Sequence, residues 1–205
     1  MEPKDNPIAE VDFEEARMLA DLGAITQDLG SVMKTCSKLK VLLEENSQDN
    51  FLIENLWTSA LIRYARCFAS GKRYGLNETI FKELQGEALK VHNMYMDLRN
   101  KHIAHSVNPF EQMKVGVVLS PKESQDKKII GVATLSMKQI SLDKEGVHQI
   151  GLLSKVILKK VCEIAKQYEQ KTLEIGKTLP IEDLYKRARP RLVAPGPDET
   201  NKSRK

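Results

Sequence analysis

The chain has 205 residues, 41% hydrophobic and 29% charged, which is enough for one well-buried domain with an inserted piece and far from the composition that leaves a chain disordered. No apolar run approaches the roughly 20 residues that cross a bilayer, and Met1-Glu2-Pro3-Lys4-Asp5-Asn6-Pro7 has neither the basic start nor the apolar stretch of a signal peptide, so a cytoplasmic protein without membrane contact is expected. A net charge of +4 permits contact with nucleic acid but is too small to argue for it.

Apolar residues from Ile8 to Leu42 recur every three or four positions, which predicts a long amphipathic helix over about 7–46. Asn6 would cap it before Pro7, Glu-Glu-Asn-Ser at 44–47 would close it, and Gly23 and Gly30 would mark close packing or a bend. A second helix fits 49–69, capped by Asp49, with Ile53, Trp57, Ala60, Leu61, Tyr64 and Phe68 as its buried stripe. A basic loop, Ser70 to Gly75, ends it. A third helix fits about 78–106 and stops before Asn108-Pro109.

Between 113 and 141 two β-branched runs flank the polar stretch Pro121 to Lys128, which reads as a hairpin. An isolated strand pair is marginal in water, so it should pack on the helices or pair with another chain. A fourth helix fits 143–177, capped by Asp143. The fold class is therefore mainly α: a bundle of four to five helices over 1–180 with an inserted β-hairpin, followed at 181–205 by a mobile basic tail. From Lys186 to Lys205, seven Lys/Arg against Asp198 and Glu199 leave +5, so the remainder is close to neutral.

Cys36, Cys67 and Cys162 are odd in number, widely spaced and set within apolar patterns, so they read as small buried side chains and not as a disulfide framework or a zinc site. The Asn77-Glu78-Thr79 triplet matches a glycosylation acceptor, a chemistry that requires secretion. Gly71-Lys72-Arg73 lacks the spacing of a phosphate-binding loop.

The residues that could carry chemistry lie near the end of the third helix, in Arg99-Asn100-Lys101-His102-Ile103-Ala104-His105. At about 100° and 1.5 Å per residue, Arg99, His102 and His105 spread over an arc of about 120° while rising about 9 Å. Two imidazoles and a fixed cation suit cleavage of a phosphodiester by its own 2′-hydroxyl, which makes RNA and not DNA the matching substrate. The same residues also simply complement the negative end of a helix dipole, and chemistry alone leaves both readings open. A metal site on the two histidines is disfavoured, because the obvious carboxylate, Asp97, is eight positions from His105. No cofactor is expected.

The run Asp97 to Ser106 resembles the motif of the HEPN superfamily, in which an Arg, often followed by Asn, Asp or His, precedes a His by four to six residues on a late helix. Here five residues intervene, and the pattern is most similar to the abortive-infection subgroup, whose version reads roughly Arg-Asp/Asn-Lys-x-x-Ala-His-Ser. The hairpin is not part of the minimal family core. The resemblance implies a homodimer in which facing motif helices form one RNA-cleaving cleft, acting in defence or as a toxin, with a neutralising antitoxin as a further partner. It also implies roles: His105 as acid/base, Arg99 on the scissile phosphate, Asn100 orienting one of them and His102 auxiliary. The competing expectations are a non-catalytic HEPN-like module binding nucleic acid or protein, and a purely structural helical dimer.

Arg63 and Arg66 flank Tyr64 in an otherwise apolar stretch, where an unpaired charge is costly. Together with Lys72, Arg73 and Lys101 they are candidates to hold nucleic acid; alternatively the two arginines pair with acids such as Glu54 or reach solvent. Trp57 and Tyr64 read as core residues.

Overall fold

The computed structural model describes residues 6–69, 71–84, 86–105, 109–189 and 196–199. They fall into two compact units, Asp21–Ile164 and a second that combines Met1–Ala20 with Ala165–Lys205. Among the described residues no helix is long and apolar enough to cross a membrane.

The larger unit takes its core from four helices: α1 (Glu14–Glu44), α2 (Asn50–Arg66), α3 (Ala88–Asp97) and α4 (Lys144–Thr178). On α1 the fully buried side chains Leu22, Ile25, Leu29, Val32 and Leu39 follow the three- and four-residue rhythm of the sequence. Ile53, Trp57, Ala60, Leu61 and Tyr64 do the same on α2, and Val147, Ile150, Leu153, Ile157 and Val161 on α4. Trp57 meets Tyr95 of α3 edge-on, with ring centroids 6.4 Å apart. The Tyr95 hydroxyl donates to the Gly146 carbonyl of α4 at 2.7 Å, so the most buried polar group of α3 has a partner.

Helix ends follow local chemistry. The Asp49 side chain accepts from the Leu52 amide, and Asp143 from that of Gly146, each at 2.9 Å, so both expected caps are present. At the end of α1, Asn46 takes a φ of 52°. The Ser47 amide then donates to the Leu42 carbonyl and the Asn46 amide to that of Leu43, a Schellman closure at the place where the sequence signals a stop. Gly23 and Gly30 do not mark close packing: the helix runs through both, and a methyl group at either would meet nothing within 4 Å.

Three expected boundaries move. The first helix starts at Glu14 and not at 7, because Ile8–Ala9 forms a short strand, β1, whose ladder bonds are satisfied by tertiary pairing. The third helix is divided: a 3-10 turn at Glu78–Phe81 is followed by Gly86 at a φ of 77°, and only then does α3 begin. That break shifts the helical phase, which leaves Leu89 and Met94 exposed while His92 turns inward. α3 also ends at Asp97, nine residues before the expected stop.

Strands β2 (Glu111–Leu119) and β3 (Ile129–Lys138) form the expected hairpin, in which Met113 faces Ser136, Val115 faces Thr134 and Val117 faces Val132. Among the described residues it is a sheet of two strands. Of the cysteines, Cys36 and Cys67 are buried as expected, and burial pushes both thiols up to about 12. Cys162 is exposed, because it follows the buried Val161 by one position and so falls on the outer face of α4.

In the smaller unit, β1 pairs antiparallel with β4 (Ala188–Arg189), and between them in sequence lies the short helix α5 (Ile181–Arg187). The segment read as a mobile tail thus begins with ordered structure. Pro180 starts α5, and Glu182 and Asp183 in its first turn oppose Lys186 and Arg187 in its last, the arrangement a helix dipole favours. The rest of that tail, 190–195 and 200–205, lies outside the described residues.

Candidate functional site

Arg99 to His102 do not sit on an α-helix. Leu98–Ile103 is a π-helical turn, closed by a hydrogen bond of 3.0 Å from the Ala104 amide to the Arg99 carbonyl, five residues back. Insertions of this kind widen the helix by one residue and recur at functional sites. The angular spacing used for an α-helix therefore fails here, and the three basic side chains reach different environments. His102 is buried, Arg99 is half-buried, and His105, in the turn after Ile103, is exposed.

The buried imidazole is an anchor. His102 Nε2 lies 3.1 Å from the Gln139 carbonyl oxygen, which can only accept, so Nε2 carries the proton. Phe110 closes on the ring edge-to-face at 5.9 Å. In the neutral ring Nδ1 then holds the lone pair, and among the described residues it has no hydrogen-bond partner. The motif turn is tied in this way to the residue that follows β3, so the hairpin root and the motif are positioned together.

The exposed members are arranged differently. The Arg99 guanidinium donates to the Asn100 side-chain oxygen at 2.9 Å, which restricts a long flexible cation. No carboxylate pairs with Arg99 among the described residues. Lys101 is engaged by Asp97, one helical turn back, at 3.2 Å. Ser106 lies outside the described residues.

A cleft of about 520 Å³ opens beside the motif. His102, Ile103, Ala104 and His105 form one wall, Glu54 and Thr58 of α2 another, and Glu111, Lys138, Gln139 and Ile140 at the hairpin root the third. The Lys138 ammonium bridges to Glu54 at 2.6 Å, and that hydrogen bond, aided by the charges of Glu54 and Glu111, holds it above its ordinary range. Sequence reasoning did not foresee Glu54, Thr58, Glu111 and Lys138 in this place. Glu111 lies 57 and Lys138 84 positions after Glu54, and only tertiary contact brings them together. A hairpin expected to pack on the helices was the one available signal.

The other candidate cations gather elsewhere in the same unit. Arg63, Arg66 and Arg73 converge on the Asp28 carboxylate at 3.2, 3.4 and 3.4 Å, and Arg73 also donates to the Arg66 carbonyl at 2.7 Å. The partner is Asp28 and not Glu54, for a geometric reason: Arg63 lies nine residues after Glu54, about 180° around α2. Asp28 is a buried charge in the middle of the apolar stripe of α1, invisible to a periodicity that counts only apolar residues. Lys72 is in the loop that carries Arg73 and also has an interaction partner.

Among the described residues no group of three or more His, Cys, Asp and Glu side chains could hold a metal ion. No family model, no curated protein and no solved structure matches the chain.

Proposed function

We propose that the protein is a metal-independent endoribonuclease of HEPN type, acting as a dimer in defence or as a toxin. The observation that carries this reading is the state of the motif: an exposed His105 on the wall of a cleft, six residues after a half-buried Arg99 whose guanidinium is held by Asn100. In this reading an imidazole takes the proton of the ribose 2′-hydroxyl as its oxygen bonds to phosphorus, and Arg99 neutralises the phosphate oxygens. The bond from phosphorus to the 5′-oxygen then breaks, and a second imidazole returns a proton to that oxygen. Two copies supply two His105 side chains, which is why the proposal includes a dimer. His102 is the positioning residue, through its bond to Gln139.

The test is cleavage of a mixed single-stranded RNA by the purified protein in EDTA. The parent cuts, while His105→Ala and Arg99→Ala each lose at least about 100-fold, the usual contribution of one acid/base or one anion-stabilising group. An inactive parent, or a His105→Ala variant as active as the parent, overturns the reading.

A second reading has its own support. Glu54 and Glu111 line the cleft, and the Lys138 cation there is already bridged to Glu54 and so engaged before any phosphate arrives. That favours a non-catalytic HEPN-like module that binds a protein partner. Under it, RNA is neither cut nor retained at physiological salt.

A further inference from the structure

Strand β3 departs from the way proteins guard a sheet edge. Ile129 to Met137 is nine residues long and contains no charge and no proline, although among the described residues the two-stranded sheet leaves one side of β3 unpaired. Exposed edges of natural sheets are normally interrupted by Lys, Pro or a short strand. The side chains are as open as the backbone: Val132 is 71% exposed and Leu135 65%. Strand β2, by contrast, carries Lys114 in its middle. We infer that the free edge of β3 is the pairing surface for a second copy of this chain, giving a four-stranded antiparallel sheet in the order β2-β3-β3-β2 across a two-fold axis.

Geometry and charge single out the register. The Gln139 amide donates to the Phe110 carbonyl, and an irregularity opposite Val118 and Leu119 leaves Ile130 without a counterpart, so over the regular stretch from Gly131 to Lys138 the residues whose backbone groups point toward β2 are the odd-numbered ones, and those pointing outward are Val132, Thr134, Ser136 and Lys138. In a two-fold antiparallel pair, opposed side chains share a face, so the axis must pass through a residue and not between two. The regular, uncharged stretch Gly131–Met137 has its midpoint at Thr134, so full overlap of that stretch puts the axis there. Thr134 then meets its own mate, Val132 meets Ser136, Ala133 meets Leu135, and Gly131 meets Met137. The absence of any charge from 129 to 137 is what makes the edge complementary to itself.

The second copy answers two needs at once. It satisfies the outward amides and carbonyls of β3, and it turns a hairpin of marginal stability into a sheet of four strands. The inference does not rest on the ribonuclease reading.

The test is sedimentation velocity on three forms of the full chain, with far-ultraviolet circular dichroism as the check on folding. The parent sediments as a dimer. Val132→Lys with Ser136→Lys places like charges opposite one another twice in the dimer, and the dimer weakens about tenfold or more while helix content is unchanged. Val132→Glu with Ser136→Lys loses the same valine and serine but places opposite charges there, and the dimer is retained. A parent that is monomeric, or one whose dimer is indifferent to both double substitutions, overturns the inference; the second outcome would place the interface elsewhere, on the motif helices or on another strand.

Discussion

Replacing Asp28 by Asn removes the one carboxylate on which three guanidiniums converge. The Asp28 side chain is only 5% exposed, whereas Arg73 is 22% and Arg66 54% exposed, so the anion is buried and the cations are graded outward. Removing one partner of a fully buried pair costs about 3–5 kcal/mol, because the other charge is left uncompensated. Here water reaches Arg63 and Arg66, and exposed pairs contribute less than about 1 kcal/mol each, so most of the cost falls on Arg73 and on repulsion among the three cations. A loss of about 2–3 kcal/mol follows, which for a chain of this length lowers the melting temperature by roughly 4–12 °C. Urea unfolding followed by circular dichroism measures it, with Asp126→Asn, at an exposed pair with Lys128, as a control that changes stability by less than about 0.5 kcal/mol. Adding Arg66→Gln to Asp28→Asn should recover part of the loss, and high salt should shrink it by screening the remaining cations. An Asp28→Asn variant as stable as the parent would show that the carboxylate does not hold this cluster together.

Burial holds His92 below its ordinary value of 6.5, and its Nδ1 lies 2.9 Å from the Tyr64 hydroxyl within the rings of Phe68 and Phe81. A lowered folded value means that the unfolded chain binds the proton first, so stability is full above about pH 6.5 and falls as pH drops below it; urea midpoints at successive pH values should show this decline, and His92→Gln should reduce it. Tyr64→Phe leaves Nδ1 of His92 without its hydroxyl partner and should cost about 1–3 kcal/mol, read by the same unfolding curves. A methyl group at Gly75 would meet the Ala69 carbonyl oxygen, so Gly75→Ala must move the backbone of the loop that carries Arg73 and should destabilise by about 1–3 kcal/mol. Gly30→Ala, with open space in mid-helix, should instead stabilise by about 0.4–1 kcal/mol, and a loss there would reveal packing that the helix surface does not show.

What could be read from the sequence was what local chemistry decides. The caps at Asp49 and Asp143, the stop at Asn46, the buried rhythm of α1, α2 and α4 and the hairpin all follow from side chains within a few positions of one another. The errors share a different origin. Ile8–Ala9 is a strand because residues 188–189 pair with it, 180 positions away, and no local pattern records that. Asp28 interrupts an apolar stripe that a search for apolar residues passes over, and it settles the surroundings of Arg63, Arg66 and Arg73. Gly86 was available as a breaker, but the apolar residues on both sides suggested a continuous helix.

The motif shows the same division within seven residues. Its residue types were legible, and so was their placement late in a helical segment; what was not legible was the geometry of the turn itself. A five-residue hydrogen bond between Ala104 and Arg99 changes which side chains share a face, and a single inserted position is enough to do it. On an α-helix His102 and His105 would be near neighbours of Arg99 on one loose face, and any of them could serve any role. On the π turn the roles separate: His102 is drawn inward to Gln139 and fixes the hairpin root, while Arg99 and His105 remain toward solvent. His102→Ala should therefore act differently from His105→Ala. It should lower stability and loosen the hairpin root, measurable as faster amide exchange at Gln139 and Met137, with any loss of RNA cleavage following the loss of structure. Equal protection at the hairpin root in His102→Ala and the parent would separate the hairpin from the motif and leave His102 without its positioning role.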